Sequence, residues 1–137
     1  MAKIIFVGIH NAPGKTPLDS STYTGKVVES IAMGIGCEII KTNLWDQTTH
    51  PEINRRTFGH HMGHVEDWIR RADYKPGDAI ICLGDLVYGV FSYYRKAECP
   101  ATESPKLIKL LHPSSFKARM HKTAYINEAT EIIKNNI

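Results

Sequence analysis

Four short apolar runs constrain this chain more than any other feature: Ile4–Val7, Cys37–Asn43, Ala79–Leu83 and Leu107–Leu111. They are nearly continuous rather than alternating, so each reads as a strand covered on both faces. Helical patterns separate them. Strands alternating with helices pair in parallel through right-handed crossovers. The expected fold is α/β, a three-layer α/β/α sandwich around a four-stranded parallel sheet. At 137 residues the chain suits a single domain, 1–137, with one core.

The segments between the strands carry start and stop signals. Residues 8–24 hold two Pro, two Gly and five Ser or Thr, the composition of a long loop shaped by turns. Thr24 is the expected N-cap of a helix to about Met33, which Gly34-Ile35-Gly36 ends. After a loop at Trp45–Asn54, with His50-Pro51 opening a helix, a longer helical stretch runs from about Glu52 to Ala72, with Gly59 and Gly63 as breaking points. Its apolar stripe is Val65, Trp68 and Ile69, at i, i+3 and i+4. Lys75-Pro76-Gly77-Asp78 is a turn, Leu86–Tyr94 a helix, Glu98–Pro105 a connector and Lys117–Asn135 the closing helix. Tyr125, Ile132 and Ile133 are its expected packing residues.

Two of the strands break into polar loops of a distinctive kind. One is Phe6-Val7-Gly8-Ile9-His10-Asn11-Ala12-Pro13-Gly14, and the other is Leu110-Leu111-His112-Pro113-Ser114-Ser115-Phe116. Loops at the carboxyl ends of parallel strands are where open α/β sheets bind ligands. Together with Lys41-Thr42-Asn43-Leu44-Trp45, these segments resemble the motifs of the uracil-DNA glycosylase superfamily. The likeness spans about Ile4 to Tyr125 and is closest in style to the mismatch-specific and His-Pro-Ser branches.

The resemblance implies a strand order 2-1-3-4 and a nucleobase pocket between the Gly8–Gly14 loop, Asn43 and His112. In that reading Gly8, Ile9 and His10 contact the base, and Asn11 orients the attacking water. His10 is an alternative for that position, because the chain reads Gly-Ile-His-Asn-Ala-Pro-Gly where the mismatch-specific branch has Gly-Ile-Asn-Pro-Gly. The motif contains no carboxylate, and Asp19 is the nearest general base, unless it only holds a turn. Tyr23 or Trp45 would supply the aromatic that stacks on the base. Asn43 matches a pyrimidine edge, since an amide donates and accepts together; otherwise it caps the Leu44-Trp45 turn. His112 would donate to the pyrimidine O2 as charge develops there. Ser114 and Ser115 would meet phosphates, with Lys117 and Arg119 beside them. Phe116 would be the wedge that replaces a flipped nucleotide, or else a core residue.

The implied activity is hydrolysis of an N-glycosidic bond in DNA, releasing uracil or a related damaged or modified base, with no cofactor and no metal. Two other readings stay open: an inactive or weak base-, nucleotide- or DNA-binding module, and an enzyme acting on free nucleotides. His60 and His64 stand at i, i+4, a metal-binding spacing, but no cysteine or carboxylate evidently completes a site, so an exposed helix face is expected.

Composition narrows the classes further. With 42% hydrophobic and 23% charged residues the chain is ordinary for a globular protein. No apolar run approaches the roughly 20 residues that span a bilayer, and Met1-Ala2-Lys3-Ile4 enters a strand without signal-peptide architecture, so a cytoplasmic location with no membrane partner is expected. Cys37, Cys82 and Cys99 form no Cys-x-x-Cys pair; Cys37 and Cys82 read as small core residues.

The net charge of +3 is mild, but its distribution is not. Ser104–Lys122 carries Lys106, Lys109, Lys117, Arg119 and Lys122 and no acid. Such a segment either tracks a polyanion or is a solvated basic face. If it tracks phosphates, oligonucleotide affinity should fall with salt at a log–log slope of roughly −0.7 to −0.9 per contact. Charge reversal at Lys117 and Arg119 should weaken binding alike for every sequence; unchanged affinity leaves a solvated face.

Overall fold

Every residue of the first strand, β1 (Ile4–Gly8), is buried, and strands pair with it on both sides. In the computed structural model, which describes residues 3–8, 18–36, 38–44, 62–72, 75, 77–98 and 106–137, it is followed by α1 (Tyr23–Ile35), β2 (Ile39–Asn43) and α2 (Met62–Ala72). Next come β3 (Ala79–Leu83), α3 (Asp85–Glu98), β4 (Lys106–Leu110), α4 (Phe116–Met120) and α5 (Lys122–Asn136). Among the described residues the sheet has four strands, all parallel, in the order β2-β1-β3-β4. That is the expected order.

Alternation along the strands divides the core. Ile4 and Phe6 join Ile81, Leu83, Ile108 and Leu110 on one face, under Val27, Val28 and Ile31 of α1 and Ala129 and Ile133 of α5. Ile5 and Val7 join Ile80 and Cys82 on the other, under Val65, Trp68 and Ala72 of α2 and Val87, Val90 and Phe91 of α3. Helices therefore cover the sheet on both faces. Trp68 meets Phe91 edge-to-face at 5.0 Å and donates its Nε1–H to Thr42 Oγ1 at 2.9 Å. The Thr42 hydroxyl in turn donates to the Phe6 carbonyl at 2.8 Å, so no polar atom of this trio is stranded in the core. Cys82 is fully buried, which pushes its thiol pKa up, as a core cysteine's should be. Cys37 and Cys99 lie outside the described residues.

Several boundaries differ from expectation. The N-cap of α1 is Thr22 rather than Thr24, its side chain accepting the Gly25 N–H at 3.0 Å. The helix continues through Gly34, which lies against Thr130 of α5, and ends only at Gly36 with φ 74°. Gly34 thus serves close helix approach instead of termination. The closing helix is interrupted at His121, whose φ −123° and ψ 50° leave the helical region. β4 stops at Leu110, and the Leu111 carbonyl accepts from the Tyr125 hydroxyl instead of a strand. Of the expected His60–His64 face, His60, His61 and the side chain of His64 lie outside the described residues. Among the described residues, no helix is long and apolar enough to cross a membrane.

At the amino-terminal end of the sheet one buried carboxylate ties three segments. Asp78 is 3% exposed and accepts the Lys3 N–H at 2.8 Å and the Lys75 N–H at 2.7 Å. Its carbonyl takes the Lys106 N–H at 3.1 Å, joining the start of β4. Burial alone would raise its pKa; the two N–H donors, with the charges of Lys3 and Lys75, outweigh that and hold it below the ordinary 3.8. A depressed carboxyl stabilises the fold above its unfolded pKa and loses that contribution as pH falls through the folded value. Asp78→Ala should cost about 2–3 kcal/mol at neutral pH by stranding two donors. In urea titrations from pH 7 down to 2, the wild-type advantage over the variant should shrink below about pH 3.8; a constant difference contradicts this account.

Candidate functional site

Parallel pairing puts the carboxyl ends of all four strands on one rim. Gly8 is the register partner of Asn43, and Leu83 that of Leu110. The ends of β2 and β4 are three strand spacings apart, roughly 14 Å. The side chains of Asn43 and His112 both lean inward across that span, and each leans over a glycine.

Asn43 is 2% exposed, and its Oδ1 lies against Gly8, where any Cβ would overlap it. Arg71 from α2 donates to the Asn43 and Leu44 carbonyls at 3.3 Å each, fixing the strand end. Across the rim, Gly84 follows β3 with φ 102°, a conformation that glycine tolerates. Its N–H donates to the Leu110 carbonyl at 2.8 Å, and a Cβ there would stand 3.5 Å from His112 Cβ and 3.8 Å from Cδ2. Gly8 and Gly84 belong to adjacent strand ends. They form a floor, with the amide and the imidazole standing at either side.

The turn after β4 holds the imidazole in one tautomer. Ser114 donates its N–H to His112 Nδ1 at 3.1 Å, and its hydroxyl lies 2.7 Å from the same atom. A nitrogen that accepts a backbone N–H carries its lone pair outward, so the neutral ring has its proton on Nε2. Nδ1 faces the Ser114 turn, while Cβ and Cδ2 lie toward Gly84. Burial lowers the His112 pKa below the ordinary 6.5, and the Arg119 charge lowers it further. At neutral pH the His112 ring is uncharged, with its proton on Nε2.

The remaining expected residues take varied places. Asp19 lies next to Leu18, whose side chain contacts Gly8; its carboxylate accepts the Ser21 N–H at 2.9 Å and its carbonyl accepts from Thr22. It is built into the turn that caps α1. Tyr23 has the Arg119 guanidinium 4.4 Å and the Lys122 ammonium 5.5 Å from its ring centroid. Ser115 is the N-cap of α4, accepting from the Ala118 N–H at 3.3 Å. Phe116 is 78% exposed, which corrects the alternative of a core residue and leaves an aromatic at the surface beside the His112 turn. Lys117 is exposed; with Leu110, Leu111, His121 and Tyr125 it lines a cavity of about 480 Å³ between the carboxyl end of β4 and the last two helices. Ile9, His10, Asn11 and Trp45 lie outside the described residues.

Three participants escaped the sequence reading. Gly84-Asp85 ends an apolar strand and opens a helix, a signal as plain as that at Gly8. Leu18 gives no signal: it is buried with φ 50°, a left-handed conformation costing about 1–2 kcal/mol for a residue with a Cβ. Gly25 allows the Asp19 turn to sit on α1, since a Cβ there would collide with the Asp19 carbonyl. Comparisons with family models, curated proteins and solved structures find no match to this chain.

A histidine whose folded pKa is depressed favours folding when neutral, so its contribution is full above pH 6.5 and declines as pH falls through 6.5 toward the folded value. Nuclear magnetic resonance should find His112 titrating below 6.5, with an unprotonated Nδ1 at pH 7. A protonated Nδ1, or a midpoint above 6.5, contradicts the assignment.

Proposed function

We propose that this protein is a DNA N-glycosylase that hydrolyses the bond between deoxyribose and uracil, or a related damaged or modified base. The observation that carries this reading is the His112 imidazole beside Gly84, whose Nδ1 accepts the Ser114 N–H so that the neutral ring carries its proton on Nε2. When the N-glycosidic bond breaks, its electron pair passes to the base and negative charge collects on the pyrimidine oxygens. A preorganised neutral donor stabilises that charge more in the transition state than in the ground state. Asn43, on the opposite side of the glycine floor, is the amide that would pair with the base edge.

In this proposal water attacks C1′ after substantial cleavage, held by Asn11 or activated by Asp19. The water hydroxyl bonds to C1′, and its proton passes to solvent or to the departing base. No metal or organic cofactor is needed. The exposed Phe116 ring is suited to occupy the gap left by a flipped nucleotide. Cytoplasmic DNA containing such bases is the proposed partner.

A second reading, a binding module without turnover, is favoured by one observation: the Asp19 carboxylate is engaged by the Ser21 N–H. Oligonucleotides carrying uracil, hypoxanthine, xanthine or oxidised pyrimidines, scored for abasic sites, separate the two. The expected result is base release from at least one of them, with His112→Ala slowing the single-turnover rate about 10²-fold or more. Affinity for product-like abasic DNA should change much less. Asp19→Asn should be nearly silent if Asn11 holds the water. Binding without release from any substrate overturns the enzyme reading in favour of the module.

A further inference from the structure

Tyr23 opens α1, while Arg119 and Lys122 flank the break between α4 and α5, yet the three meet. The Arg119 guanidinium carbon lies 4.4 Å from the Tyr23 ring centroid and the Lys122 nitrogen 5.5 Å from it. The two positive charges are therefore within about one Debye length of each other at moderate ionic strength. Among the described residues, neither forms an ion pair with a carboxylate. The ring alone offsets little: a cation–π contact at an exposed site is worth about 0.5–1 kcal/mol. Two like charges gathered with no carboxylate partner among the described residues favour the approach of an anion.

The cluster is also built rather than loose. Arg119 donates its Nε–H to the Ser114 carbonyl at 3.1 Å, which restrains the guanidinium while its terminal N–H groups are not used in that bond. Ser114 is the same residue whose N–H holds His112. The break at His121 separates the helix bearing Arg119 from the one bearing Lys122, while α1 carries the ring both cations approach. Tyr125 closes the back of the cluster, its hydroxyl donating to the Leu111 carbonyl.

We propose that Arg119 and Lys122, gathered over Tyr23, form a binding site for a phosphomonoester dianion, the terminal phosphate of a nucleotide or of a nucleic-acid strand end. Two cations match the charge of about −1.5 to −2 on a monoester at pH 7 better than the single charge of a diester. Guanidinium recognises its oxygens through directed N–H donors, and ammonium adds a mobile point charge. Tyr23, in this assignment, arranges the cations rather than stacking on a base. The assignment rests on the nucleobase reading only for its place beside His112, and it narrows the substrate class to one bearing a terminal phosphate near the base.

The test uses the whole protein and needs no base release. Thymidine 5′-monophosphate, thymidine and the dinucleoside monophosphate dTpdT are titrated in turn, followed by calorimetry and by the His112 ring resonances. The monophosphate should bind at least about tenfold more tightly than either other ligand, a difference of about 1.4 kcal/mol. Its charge should offset that of Arg119 and move the His112 titration upward. Arg119→Ala and Lys122→Ala should each remove most of that preference, and Lys134→Ala, at the far end of α5, should not. Equal binding of dTpdT, or an unchanged preference in both cluster variants, overturns the proposal. A protein that releases uracil yet shows no monoester preference refutes this site and keeps the glycosylase reading. The reverse pair of results does the opposite.

Discussion

The rest of the structure depends on β1 being buried on both faces and paired on both edges. A five-residue strand with no wet side has to sit centrally. Both neighbours run parallel to it, so each connection is a crossover that returns the chain to the same end of the sheet. Two consequences follow from that one constraint. Helices have to cover both faces, and every strand discharges its polar loop at the same rim.

The two ends of the sheet solve opposite problems. At the amino-terminal end, Asp78 satisfies the donors of Lys3 and Lys75 while its own backbone joins β4, a buried charge that is fully hydrogen-bonded. At the carboxyl end two glycines let side chains approach the backbone closely. Gly8 admits the Asn43 amide and the Leu18 side chain, the latter brought there by a left-handed backbone, and Gly84 stands under His112.

Electrostatics at the rim depend on how Ser114 distributes its three polar groups. Its amide and hydroxyl serve His112, and its carbonyl serves Arg119. One turn residue therefore sets both the tautomer of the proposed electrophile and the position of the nearest cation. The acid-free stretch around it keeps that cation from being neutralised locally. In the proposed function, the neutral imidazole would meet developing charge while the guanidinium beside it would meet phosphate.

The fold class, the four strands, and the placement of Asn43 and His112 at strand ends were legible in the sequence, because short apolar runs bounded by turn residues read as strands, their length and flanks setting them apart from buried helix segments. The order of the strands came with the family likeness rather than from periodicity, and pairing confirms it. Local signals misplaced the ends: Thr24 and Thr22 are equally good caps on paper, and only the Gly25 N–H chooses between them. Tertiary structure alone decided that Gly34 admits α5, that the last helix breaks at His121, that Phe116 faces solvent, and that Tyr23 collects two cations from a distant segment. Those outcomes depend on contacts between residues far apart in the chain, whose energies outweigh the few tenths of a kcal/mol by which local preferences differ. Short-range patterns carry the period of burial; they carry no record of which distant side chain arrives to complete it.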